Sequence, residues 1–80
     1  MRNKETNIVA KGLNPPGPLL LVKKELKTLK TDSIRVIVSN RESVDELVEY
    51  FEAHGGIVEL DRVGEDHHII VDLSNFKDGD

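Results

Sequence analysis

Hydrophobic and polar positions divide the chain into six periodic segments. Residues 7–11 alternate as a short strand, with Ile8 and Ala10 on one side and Val9 and Lys11 on the other. Leu19, Val22, Leu26 and Leu29 recur at helical spacing and predict a helix over 18–30. Lys23, Lys27 and Lys30 fall on a different face, and Leu20 and Leu21 lie off the buried stripe. Residues 34–39 are rich in β-branched side chains and predict a second strand whose core face is Ile34, Val36 and Val38. Ser43 and Glu46 match the reciprocal capping pattern, so a second helix is expected to start at Ser43. Val44, Leu47, Val48 and Phe51 give its apolar face, and Gly55 and Gly56 can end it in a left-handed turn. Residues 57–63 and 67–73 are strand-like and flank a hairpin turn at Gly64, Glu65 and Asp66. Glu59, Asp61 and Arg62 suit an edge strand, whereas the run Ile69, Ile70, Val71 suits an interior one.

The order is therefore β-α-β-α-β-β, with the last strand inside the sheet. Right-handed crossovers between parallel strands put both helices on the same face. The expected fold is a two-layer α/β (α+β) sandwich. A ferredoxin-like fold needs β-α-β-β-α-β and is disfavoured. One domain spanning residues 1–80 is expected, with an ordered core over about 7–73 and fraying polar tails at 1–6 and 74–80.

Composition narrows the functional classes. Eighty residues with 38% hydrophobic and 32% charged side chains make one modest, largely aliphatic core, without room for a deep substrate cavity. The longest apolar run, residues 19–22, falls far short of the ~20 residues that span a bilayer, and a cytoplasmic location is expected. The chain has no cysteine, which excludes disulfides and thiolate metal sites. Its net charge of −4 divides into +5 over residues 1–40 and −9 over residues 41–80, so either the two helices carry complementary charge or one bears an interaction surface.

Between the first strand and first helix stands Gly12-Leu13-Asn14-Pro15-Pro16-Gly17-Pro18. Pro18 suits the first helical position, since its φ is fixed near the helical value and its missing N–H would be unpaired there. Pro15 and Pro16 are expected to hold the approach extended. This corner resembles that of the TusA/SirA/YedF family (UPF0033) of small sulfur-relay proteins, which carries Gly-Leu-x-Cys-Pro-x-Pro at the same place. Gly12, Leu13, Pro16 and Pro18 match; Pro15 stands in the position of the cysteine, and Gly17 where an acidic residue is common. The resemblance covers residues 8–73 and implies a four-stranded mixed sheet of order 1-2-4-3. In the family the cysteine carries persulfide sulfur, so that transfer chemistry cannot run through this polypeptide.

No other nucleophile replaces the thiol: Asn14 cannot be activated, and the corner holds no serine or threonine. The chain is accordingly expected not to be an enzyme and to use no cofactor. A metal site at His67 and His68 is disfavoured, because neighbours on a strand point to opposite faces. Asp45, Glu46, Glu49 and Glu52 read as the wet face of the second helix, and His54 as a helix-end residue. The strand and helix order is similar to that of the C-terminal domain of translation initiation factor three. Nucleic-acid binding through the basic first helix is nonetheless the weaker alternative at this net charge. The resemblance, less its cysteine, implies a non-catalytic protein-binding or regulatory module. An accessory role in sulfur or selenium metabolism, with a partner supplying the thiol, is the alternative. The candidate contact residues are Asn14, Leu20, Leu21, Lys23 and Lys27 beside the corner, and Ile37 and Ile70 on the uncovered sheet face. A monomer or weak dimer is expected.

Overall fold

β-Branched residues in strict alternation build the centre of the sheet. In the computed structural model, which describes residues 5–77, strand β2 (Ser33–Val38) buries Ile34, Val36 and Val38 completely. Strand β1 (Glu5–Val9) runs parallel to it, with Ile8 opposite Val36, and the pairing continues as the Ala10 N–H donates to the Ile37 carbonyl at 2.8 Å. On its other side β2 pairs antiparallel with β4 (Asp66–Asp72), which pairs antiparallel with β3 (Ile57–Val63). The sheet order is thus β1-β2-β4-β3, the mixed arrangement expected. Helices α1 (Gly17–Leu26) and α2 (Arg41–Ala53) connect parallel strands. Val22 from α1 and Val44, Leu47 and Phe51 from α2 close the core over Ile8, Ala10, Ile69 and Val71.

Several boundaries differ from those expected, each for a local reason. β1 begins at Glu5, two residues early, because Glu5 pairs with Ser33 and its carboxylate meets the Arg35 guanidinium at 3.4 Å. Helix α1 ends at Leu26 and not Lys30. Its last carbonyls are taken by a tighter turn, with Lys27 N–H on Lys24 O and Thr28 N–H on Glu25 O, and by the Thr28 hydroxyl, which also donates to Glu25 O. Helix α2 starts two residues ahead of Ser43, at Arg41. Asn40, in extended backbone, is the cap, and its Oδ1 accepts from the Ser43 N–H at 2.8 Å. Ser43 is consequently a buried residue of the first turn, and Glu46 is half-buried instead of lying on the wet face. Asp66 belongs to β4, leaving Gly64, with φ 63°, and Glu65 as the hairpin loop.

The segment after β4 is also held in place. Leu73 N–H donates to Asp32 O at 2.7 Å, Lys77 N–H to His54 O at 2.8 Å, and Phe76 packs against Tyr50, Phe51 and His54. Of the tails expected to fray, residues 5–6 and 74–77 are therefore structured; residues 1–4 and 78–80 lie outside the described part. No helix of the described residues is long and apolar enough to cross a membrane.

Candidate functional site

The corner between β1 and α1 sits at the carboxyl ends of the parallel strands β1 and β2, where both helices begin. Gly12 adopts φ 83°, a left-handed conformation open to glycine, and its N–H donates to Ser39 Oγ at 2.8 Å. Asn40 then braces the loop from the α2 side. Its Nδ2 donates to Leu13 O at 3.3 Å while its Oδ1 caps α2, so one side chain ties the corner to the start of the second helix.

The double proline makes a turn and not the extended approach expected. Gly17 N–H donates to Asn14 O at 2.7 Å across a cis Pro15–Pro16 bond. Leu20 N–H then donates to Pro16 O at 3.0 Å, and Pro18 occupies the second helical position instead of the first. Gly17 has a packing reason: a Cβ there would stand 3.3 Å from Leu13 Cβ. The first turn of α1 contains no acidic residue and no side-chain cap.

The candidate contact residues separate into distinct places. Asn14, Pro15 and Pro16 are exposed at the tip of the corner, and Leu20, 59% exposed, follows them on the outer side of α1. Leu21 instead packs partly against the core. Lys23 reaches across to α2, with its Nζ 5.2 Å from the centre of the Tyr50 ring. Lys27 is exposed at the far end of α1, about 15 Å from the corner. Ile37 and Ile70 lie on the opposite face of the sheet, diagonal to one another, and do not join the corner in one surface. Between them Arg35 Nη1 donates to His68 Nδ1 at 3.0 Å. A guanidinium cannot accept, so this contact leaves the His68 ring proton on Nε2.

The sequence pattern singles out neither Ser39 nor Asn40, and it puts Arg35 and His68 on the uncovered face without joining them. Asn40 carried a usable signal, as an asparagine ahead of a helical pattern with an acidic residue in its first turn. The cross-strand pair becomes visible only once the register is known.

The site offers shape and hydrogen-bonding groups but no thiol. No cysteine exists in the chain, and no nucleophilic side chain stands at residues 12–18. Among the described residues, no group of three or more histidines, aspartates or glutamates is placed to hold a metal ion. His67 and His68 face opposite sides of the sheet, beside Arg62 and Asp61 respectively. Away from the corner, the Asp72 carboxyl is held below its ordinary value of 3.8, because its Oδ1 accepts the Ser74 N–H at 2.9 Å.

A four-stranded 1-2-4-3 sheet carrying two helices on one face, with a proline-bounded corner at the first helix start, defines a small two-layer α/β sandwich whose corner holds no thiol. The chain belongs to the TusA family: the family described as sulfurtransferase TusA matches residues 7–72. The crystal structure of a SirA-like protein from Desulfitobacterium hafniense has the same fold. It superposes with a TM-score of 0.73 at 24% identity, over 84% of this chain and 95% of that one. No functionally curated protein matches the sequence. Membership of a sulfur-relay family implies protein partners. The missing cysteine means that this chain has no catalytic thiol.

Proposed function

We propose that this protein is a non-catalytic docking or regulatory member of the sulfur-relay family, which engages a relay partner through the corner without carrying sulfur. The carrying observation is that the corner is fully braced although Pro15 occupies the carrier position. Asn40, Ser39 and the turn at Asn14 hold its backbone, and a Cβ on Gly17 would crowd Leu13. The bracing presents Asn14 and Pro15 at the exposed tip of the corner. Exposed Asn14, Pro15 and Leu20 form the contact area. Lys27 extends it along α1.

The test replaces Asn14 with a photo-reactive residue and looks for a cross-link to a relay protein. A cross-link that forms in the wild-type background and disappears with Leu20→Asp supports the reading. A cross-link that survives Leu20→Asp, or none with any relay protein, contradicts it. RNA binding is the weaker alternative, because Lys23 is already engaged with Tyr50 and the chain carries −4 overall.

A further inference from the structure

Among the described residues no strand pairs with the outer edge of β3, and the hairpin fixes which backbone groups that edge presents. A two-residue loop makes Val63 and Asp66 the closing hydrogen-bonded pair. Hydrogen-bonded pairs then alternate, falling at Asp61 with His68, Glu59 with Ile70 and Ile57 with Asp72. Val58, Leu60 and Arg62 therefore turn their N–H and C=O groups outward. Arg62 agrees with this: its N–H donates to the neighbouring Asp61 carboxylate at 2.9 Å and not to β4. Among the described residues, no hydrogen bond outside the β-ladder reaches the N–H groups of Val58 and Leu60.

Alongside its charged residues, the strand exposes three large apolar side chains. Ile57 is 61%, Leu60 57% and Val63 50% exposed. A second copy of the chain is nevertheless a poor occupant. Outward groups must face outward groups, so an antiparallel pair centred on Leu60 sets Glu59 against Asp61 of the other copy, twice. Shifted by one period either way, the pair sets Asp61 against Asp61 or Glu59 against Glu59. Like charges directly opposite one another are destabilising. The same two carboxylates favour a strand that brings cations to their positions.

We propose that the outer edge of β3 takes an extended segment of a partner protein, added as a fifth strand, with lysine or arginine on either side of a central apolar residue. The basic residues lie opposite Glu59 and Asp61, the apolar one opposite Leu60, and further apolar residues opposite Ile57 and Val63. A cation opposite Asp61 also draws its carboxylate away from the Arg62 N–H, which frees that donor for the new strand. The edge lies three strands from β1, about 14 Å across the sheet. Its test is therefore independent of the corner.

The experiment titrates the full chain, with its backbone amides observed by NMR, with the peptide Val-Glu-Lys-Val-Lys-Thr-Val, which meets β3 antiparallel with its central valine at Leu60. The expected result is shift changes and new exchange protection at the Val58 and Leu60 amides. A peptide with both lysines replaced by glutamate is expected to bind about tenfold more weakly. Leu60→Pro removes an outward N–H without touching the β4 ladder and is expected to abolish binding. Should that variant fail to fold, methylation of the central valine nitrogen in the peptide removes the matching bond from the other side. No response at millimolar peptide, equal binding of the glutamate peptide, or undiminished binding of the methylated one would overturn the proposal. The last result would mean simple charge attraction without strand addition.

Discussion

Asn40 links the corner to the second helix, and its two hydrogen bonds can be weighed against the unpaired atoms beside it. Ser43 Oγ and Glu46 Oε1 are buried with no hydrogen-bond partner among the described residues. Asn40→Ala loses the cap and the brace on Leu13 and is expected to cost about 1 kcal/mol in urea unfolding. Ser43→Ala removes a buried hydroxyl that makes no bond, and is expected to be neutral or slightly stabilising. The reverse ranking would restore Ser43 as the cap. The sequence pattern at Ser43 and Glu46 misled because two good caps stood within one turn, and local spacing cannot say which residue adopts extended backbone. Asp72 gives a pH dependence. Its folded pKa is depressed by the Ser74 N–H, so its contribution to stability is present above the ordinary value of 3.8 and is lost as pH falls through the lower folded value. A carbon-detected titration is expected to place its midpoint below 3.8, and Ser74→Pro, which removes the donor, to return it toward 3.8.

Among the elements, the strands and the core face of α2 were legible, and the ends of the helices were not. Ile34, Val36 and Val38 alternate without interruption, and Val44, Leu47 and Phe51 follow one face, so burial could follow only one pattern. The end of α1 depended instead on competition among Thr28, Glu25 and Lys24, which periodicity does not register. The segment after β4 escaped the reading because its anchor is tertiary. Phe76 reaches an aromatic group on α2, and Lys77 N–H meets the carbonyl of His54 at the helix end. Gly55 makes room for this return, since a Cβ there would lie 2.5 Å from Asn75 O. Phe76→Ala is expected to cost roughly 1–2 kcal/mol, as befits a half-buried ring. It should also speed hydrogen exchange at the Lys77 amide; unchanged exchange there would contradict the anchoring.

At the scale of the whole molecule, the sheet order follows from composition and handedness. An apolar last strand had to lie inside, a charged third strand at the edge, and both crossovers over one face. The candidate site was legible as a corner but not as a surface. The residues proposed for contact fall in separate places once Lys23 turns to Tyr50, Leu21 turns toward the core, and Ile37 and Ile70 take the other side of the sheet. The charge asymmetry is met in part by the ion pair of Lys11 with Asp66 at 3.1 Å.

The proposed docking of the corner to a relay partner requires no sulfur to be carried by this chain. It is tested most directly in a reconstituted relay containing a persulfide-bearing donor protein and a cysteine-bearing family member as acceptor. Wild-type protein is expected to slow transfer by competing for the donor. Pro15→Cys is expected to become loaded itself: its thiolate takes the terminal sulfur, the donor returns to a thiol, and the variant gains the mass of one sulfur atom. A wild type that leaves transfer unchanged, together with a Pro15→Cys variant loaded no faster than free cysteine, would contradict the account.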